Sequence, residues 1–306
     1  MITRAAAIAA LFLAALGAPS PWAGAVRADP FEQTLVVEPD VRVDVEIVSG
    51  KIELRGTSAN ELHVRANGEL RVDGSPRRVS LRAPSGGFLP WAHPVDVEVE
   101  IELPRQSRIT ARTINGAIEA NDVAGELDLH AANGAIEVEG APREAYLETM
   151  NAPIRFSGQR SAVVAKTLNG AIELEGVSGE VEAQTVSGRI RVEGEELQRA
   201  ELRTMAGEIE LSTSLAKGAR VSARSFSGPV KLVLPAGTSA RFDVQSFSGA
   251  IESEFSSRLA GDEPGHGHGF GAHGPGGRPL SFVVGDGDAR ISIESFSGGV
   301  KIEEAD

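Results

Sequence analysis

Apolar residues recur at the same six places in a run of 18-residue repeats. Counted from the residue that opens each repeat as position 0, they stand at positions 2, 4, 7, 11, 13 and 16 in the repeats opened by Gly116, Gly134 and Gly170. The opening residues are Gly116, Gly134, Ala152, Gly170 and Gly188. Steps of two within a segment are typical of a β-strand, because successive side chains of a strand point to opposite faces. The pattern therefore predicts two short strands and two corners in each repeat.

The fixed period predicts the fold class. Repeats of this kind stack, because one repeat alone cannot bury its apolar face. We expect an all-β protein built as a single-chain parallel β-solenoid (β-helix), with about 18–21 residues per coil and two short strands per coil. Neighbouring coils would stack in register about 4.8 Å apart. A left-handed helix of hexapeptide repeats is disfavoured, because it requires an apolar residue at every sixth position and this sequence lacks that spacing.

Polar columns are expected to hold the coils in register. At position 3 the charges alternate in sign from coil to coil after the first pair, and stacked opposite charges attract one another. Immediately before the opening residues stands a column of asparagines, whose side-chain amides can bond from coil to coil. Its members are Asn115, Asn133, Asn151 and Asn169.

Position 16 is assigned to the interior, like the other five apolar positions. The later coils carry insertions of one to three residues, so their positions 10 to 16 are counted back from the next opening glycine. Position 16 there holds Phe226, Phe247 and Phe296, each two residues before a glycine. The three rings are expected to form an aromatic column at a corner of the coil. We interpret this column as core packing.

The chain divides into five segments. Residues 1–28 are predicted to be a signal peptide, because Arg4 precedes an apolar run too short to span a bilayer and small residues follow it. Cleavage after Ala25 and cleavage after Ala28 both fit this pattern. The other four segments are an N-terminal first coil with a strand meander or cap (29–104), a regular β-solenoid (105–255), a Gly- and His-rich disordered loop (256–280), and a final coil with a C-terminal cap (281–306).

Composition narrows the range of partners. The formal net charge is −13, which opposes binding to nucleic acid or to an anionic membrane. The chain has no cysteine, so disulfides and thiol chemistry are excluded. No segment after the predicted signal peptide is long and apolar enough to span a membrane. We expect an exported monomer that is periplasmic or extracellular, including at the cell surface.

No catalytic, cofactor-binding or metal-binding residue is assigned, and the chain is expected not to be an enzyme. The Gly-rich segment contains His266, His268 and His273, but they lack the ligand spacing that an ordered metal site requires. The carboxylates alternate along predicted strands, which places them on solvated faces.

One loop is a candidate contact site. Residues 85–94 read SGGFLPWAHP and carry Phe88, Trp91 and His93. We interpret the loop first as a cap that packs on the end of the stack. The alternative is a loop that contacts a partner or ligand.

The NGxIxVxG and SGxIxVEG coils, together with the segments IELPRQSR and VLPAGTSA, resemble a family of bacterial β-strand-repeat proteins named "putative adhesin", a domain of unknown function. The resemblance covers about residues 40–305, and the Gly- and His-rich segment departs from it. It implies an exported or envelope-associated protein and provides no catalytic residues to carry over.

The leading hypothesis is an exported, non-enzymatic, adhesin-like binding protein or cell-envelope scaffold. Its partner would be an extended polymer or a protein of the cell envelope, because stacked coils present long faces and few pockets. One alternative is an accessory protein that senses envelope stress. Another is a polysaccharide-acting enzyme on the same fold.

Overall fold

The fold is given by a computed structural model that describes residues 31–83, 96–255, 258–259 and 280–305. Every regular element in these ranges is a β-strand, which confirms the predicted all-β class. The strands are β1 Phe31–Val36, β2 Arg42–Thr57, β3 Glu61–Ala66, β4 Arg71–Ser75, β5 Arg78–Arg82, β6 Val97–Pro104, β7 Arg108–Asn115, β8 Ile118–Val123, β9 Glu126–Ala131, β10 Ile136–Gly140, β11 Glu144–Thr149, β12 Ile154–Gly158, β13 Ala162–Thr167, β14 Ile172–Ser187, β15 Ile190–Ala206, β16 Ile209–Ser227, β17 Val230–Pro235, β18 Ala240–Ser246, β19 Ile251–Ser253, β20 Arg258–Leu259, β21 Leu280–Val284, β22 Ala289–Ser297 and β23 Val300–Ala305.

Two of the predicted segments lie outside the described residues. The predicted signal peptide at residues 1–28 is one of them. The predicted Gly- and His-rich loop at residues 256–280 is the other, except for residues 258–259 and 280.

All the strands belong to one mixed sheet, and their pairings follow two ladders. The long strands β2, β14, β15 and β16 turn a corner and contribute to both ladders. Ladder A has the order β4–β5–β2–β7–β9–β11–β13–β14–β15–β16–β22–β18–β21–β20. Ladder B has the order β1–β3–β6–β2–β8–β10–β12–β14–β15–β16–β17–β23–β19. Both ladders are parallel in the middle.

The predicted register is confirmed in the middle of ladder B. Each strand pairs with the strand 18 residues further along, so that one isoleucine lies directly beside the next. Each of these isoleucines is 0% exposed and they form a single interior file. The file is Ile118, Ile136, Ile154, Ile172 and Ile190, with Ile209 next.

The predicted column of alternating charges also holds in this part of ladder B. Arg155 lies 2.6 Å from the carboxylate of Glu137 on one side and 3.4 Å from that of Glu173 on the other. An exposed ion pair contributes at most about 1 kcal/mol, so the column favours the register more than it adds stability.

The C-terminal strands do not end the stack, and the expectation that residues 281–306 form the last coil is wrong in this respect. β22 lies between β16 and β18, with Ile291 paired to Val221 on one side and to Phe242 on the other. β23 lies in the same way between β17 and β19. In ladder A the chain leaves one position open between β16 and β18, and β22 occupies it. In ladder B it leaves one position open between β17 and β19, and β23 occupies it. A strand placed there forms hydrogen bonds along both edges, whereas a strand at the end forms them along one.

At the other end of the sheet, β2 comes early in the chain but also lies inside the stack and not at its edge. β2 lies between β5 and β7 in ladder A and between β6 and β8 in ladder B. Beyond it, β1, β3 and β4 pair in antiparallel fashion, as do β20 and β21 at the opposite end. The regular parallel part is therefore flanked at both ends by antiparallel strands.

Candidate binding surface

A column of buried hydroxyl groups lines one corner of ladder A. It occupies position 15, which points inward because the alternation of positions 11 and 13 continues for one more step. The Thr185 hydroxyl, for example, donates a hydrogen bond to the carbonyl oxygen of Gly170 at 3.1 Å. Seven hydroxyl groups donate to a corner carbonyl in this way and are 2–6% exposed, whereas the Thr113 hydroxyl at the same step is buried without a hydrogen-bond partner among the described residues. The hydroxyl column consists of Thr149, Thr167, Thr185, Thr204, Ser225, Ser295 and Ser246.

Because position 15 points inward, position 16 points outward. The expectation that position 16 is interior is therefore wrong. So is the interpretation of Phe226, Phe296 and Phe247 as core packing, because these rings are 55%, 47% and 57% exposed. We call the residues at this position the apolar column. In order along ladder A they are Val48, Ile114, Ala132, Met150, Leu168, Val186, Met205, Phe226, Phe296 and Phe247.

The apolar column is long. At about 4.8 Å per strand, nine intervals extend over roughly 43 Å. Apart from Ala132, its members are 37–57% exposed. A protein surface rarely exposes a continuous apolar feature of this size unless a partner covers it.

The three phenylalanines form a stack at one end of the apolar column. The Phe296 ring lies between those of Phe226 and Phe247, with centroids 4.8 Å apart and planes 2° apart in both pairs. Parallel rings at this separation turn their faces toward one another. The ring edge of Phe296 is therefore what the middle of this stack presents to solvent.

A groove runs beside the apolar column. Its main part has a volume of about 990 Å³. A second part of about 510 Å³ lies beside Val48 and Ile114 at the other end of the column. The opposite wall of the main part stands at position 14 and is polar. In order along ladder A this wall consists of Glu148, Lys166, Gln184, Arg203, Arg224, Glu294 and Gln245.

The charges of this wall are paired. Lys166 lies 3.1 Å from Glu182, and the hydrogen bond to this carboxylate raises the pKa of Lys166 above its ordinary value. Arg224 lies 3.1 Å from Glu294. The groove thus has one apolar wall and one polar wall, and the polar wall carries both positive and negative side chains that are held in ion pairs.

The predicted asparagine column is confirmed, and it borders the apolar column on its other side. Asn133 donates to the side-chain oxygen of Asn115 at 2.9 Å. Asn151 donates to Asn133 at 2.8 Å, and Asn169 donates to Asn151 at 3.0 Å. These amide bonds hold neighbouring strands at a fixed height next to the apolar column.

The residues predicted for a contact loop, Phe88, Trp91 and His93, lie outside the described residues, and their role stays a prediction. Within the described ranges, no group of three or more His, Cys, Asp or Glu side chains is placed to hold a metal ion. In the same part of the chain, no helix has the length and apolar character needed to cross a membrane.

Together, the two in-register ladders and the exposed apolar column describe a β-strand-repeat protein with an exposed apolar surface along one corner. The chain belongs to the Toastrack DUF4097 family, whose model matches residues 87–293. This match confirms the family resemblance inferred from the glycine-led coils. The family is a domain of unknown function, and no curated protein matches the chain.

Several solved structures are similar to this chain over most of its length. A putative adhesin from Parabacteroides merdae is 11% identical, with a TM-score of 0.37, and the match covers 92% of this chain and 99% of that one. A putative adhesin from Bacteroides fragilis is 11% identical, with a TM-score of 0.30 and coverage of 90% and 97%. A putative lipid binding protein from Parabacteroides distasonis is 12% identical, with a TM-score of 0.32 and coverage of 89% and 96%.

Proposed function

We propose that the protein is an exported, non-enzymatic β-solenoid that binds a protein of the cell envelope along its apolar column, in the manner of an adhesin. The observation that carries the proposal is the line of half-exposed apolar side chains from Val48 to Phe247. The solenoid part rests on the 18-residue register of ladder B and on the corners that join the two ladders. Repeated coils of this kind provide extended surfaces for recognition.

The geometry of the phenylalanine stack favours an apolar partner over a sugar. A sugar packs against the open face of an aromatic ring. The faces of the Phe296 ring are turned to its two neighbours, so that its edge is what a partner would meet. Edges and aliphatic side chains are suited to contact with apolar side chains of another protein.

The polar wall of the groove favours a protein partner for a second reason. Lys166 and Arg224 face the groove together with Glu148 and Glu294, so the charges are mixed in sign. A partner that carried one kind of charge would be repelled by half of this wall. A protein segment with an apolar stripe and mixed polar flanks matches both walls.

The charged groups of the groove wall are held in ion pairs, such as Lys166 with Glu182 and Arg224 with Glu294, which supports a binding role.

The test is binding of the labelled, purified protein to a bacterial envelope fraction, with and without prior protease treatment of that fraction. The variant Met205→Gln with Phe226→Gln removes two adjacent members of the apolar column. Each of these side chains is about half exposed, so its remaining burial on binding is worth roughly 0.7–1.5 kcal/mol. Binding should weaken by roughly 10–100-fold, and protease treatment of the envelope should abolish it.

The matched control is Val36→Gln. Val36 is 75% exposed, lies on β1 and is not part of the apolar column. It should leave binding unchanged. Equal binding by the column variant and the wild type, or full binding after protease treatment, would contradict the proposal.

A further inference from the structure

Four arginines stand side by side on the outer face of ladder A, away from the apolar column. They occupy position 10 of four consecutive strands, and each is directly opposite the next in the register. All four are exposed. We call them the arginine ladder, and in order along the stack they are Arg199, Arg220, Arg290 and Arg241.

The arginine ladder is not neutralised by the described part of the protein. None of its guanidinium groups lies within 4.0 Å of a described carboxylate. Like charges directly opposite one another on a sheet repel and destabilise it. Four in succession therefore repel one another, and the opposite charge next to them in the register is Glu180, which stands beside the end member Arg199.

A nearby pair of like charges shows the contrast. In ladder B, Lys231 lies directly opposite Lys301. There the carboxylate of Glu303 lies 2.9 Å from one ammonium group and 2.5 Å from the other. The carboxylate of Glu303 thus neutralises this pair of adjacent cations, whereas the four cations of the arginine ladder have no such carboxylate between them among the described residues.

At the centre of the arginine ladder, the neighbouring side chains are uncharged and carry hydroxyl groups. Two residues further along the two middle strands are Ser222 and Ser292, which pair with each other in the register and are partly exposed. Their hydroxyl groups can both donate and accept hydrogen bonds. The next cation along this face, Arg224, is already paired with Glu294 at 3.1 Å.

We propose that the arginine ladder binds an extended acidic polysaccharide that carries one carboxylate on each sugar. The strands that carry these arginines are spaced about 4.8 Å apart, which is close to the length of one sugar residue in an extended chain. A guanidinium group binds a carboxylate through two parallel hydrogen bonds. The central serines provide partners for sugar hydroxyl groups, which a chain of bare phosphates lacks.

The site has a defined length. At one end the next residue of the column is Glu180, which is directly opposite Arg199. At the other end Arg241 is followed by Val283 of β21. The ligand stretch is therefore about four sugars long. This is a surface separate from the apolar column, and its occupation does not depend on the protein partner proposed above.

The experiment measures binding of the purified protein to polygalacturonate, with dextran as the neutral polysaccharide and polyphosphate as the non-sugar polyanion. We expect binding to polygalacturonate that weakens as salt rises, because the contacts are ionic and exposed. We expect no binding to dextran, and weaker binding to polyphosphate than to polygalacturonate at equal charge concentration. The variant Arg220→Gln with Arg290→Gln should weaken polygalacturonate binding at least about tenfold, because it removes both central contacts.

The matched control is Arg55→Gln with Arg71→Gln, which removes the same amount of charge from exposed arginines on β2 and β4. It should bind polygalacturonate like the wild type. If the central variant fails to fold, Arg199→Gln with Arg241→Gln tests the same row from its ends. Wild-type affinity in a folded ladder variant, an equal loss in the control, binding to dextran, or tighter binding to polyphosphate would each overturn the proposal.

Discussion

The hydroxyl column offers a direct test of how the corners are held. Thr185 is 6% exposed, and its hydroxyl donates to the carbonyl oxygen of Gly170 at 3.1 Å. Among the hydrogen bonds of the described residues, this is the one that the Gly170 carbonyl accepts. The substitution Thr185→Val keeps the shape of the side chain and removes the donor.

The expected magnitude follows from these two facts. A part-buried acceptor left without a partner costs about 1–3 kcal/mol. The methyl group that replaces the hydroxyl stabilises the folded state by up to about 0.8 kcal/mol, because it is buried. The net loss of unfolding free energy is therefore about 1–2 kcal/mol, which for a domain of this size lowers the melting temperature by roughly 2–6 °C.

The assay is urea and thermal unfolding followed by circular dichroism. The matched control is Thr110→Val, which makes the same change on ladder A at a half-buried position that faces outward. It should alter the unfolding free energy by less than about 0.5 kcal/mol. A Thr185→Val protein that is as stable as the wild type would refute the reasoning, because it would mean that the corner carbonyl needs no donor.

Two further predictions concern the C-terminal strands. Deletion of residues 288–306 removes β22 and β23, which are paired on both sides, and should abolish cooperative thermal unfolding; a deletion protein that melts like the wild type would contradict the strand order. Glu303→Gln removes a carboxylate whose pKa is lowered below 4.5 by Lys301 and Lys231. A lowered folded-state pKa stabilises the protein above about pH 4.5 and ceases to do so as pH falls through the folded value. The variant should therefore be less stable near neutral pH and equal to the wild type in acid, and a stability difference that does not depend on pH would contradict this.

The fold class and the central register were predictable because both depend on simple periods. Strands alternate every two residues and the repeat is constant at 18, so Ile118 and Ile136 could be placed side by side from the sequence. The asparagine column followed from the same count. These predictions needed only local pattern and stacking.

Apolar character alone misplaces the apolar column, because it predicts an interior position for side chains that lie on the outside. Strict alternation from positions 11 and 13 leads to position 15, which holds threonine or serine, and leaves position 16 outside. The signal was present in the recurrence of Thr149, Thr167 and Thr185 at that interior step. A buried hydroxyl is acceptable there because a corner carbonyl receives its hydrogen bond.

The order of the residues in the arginine ladder and in the phenylalanine stack has one cause that no count along the chain provides. Arg290 and Phe296 both lie on β22, which enters the stack between β16 and β18. In sequence order Arg241 would follow Arg220 directly and Phe247 would follow Phe226. Insertion of β22 places a third ring between two others and a fourth cation in the row. Both surfaces are therefore incomplete until β22 lies between β16 and β18, so the binding proposed for each surface requires the insertion of this strand.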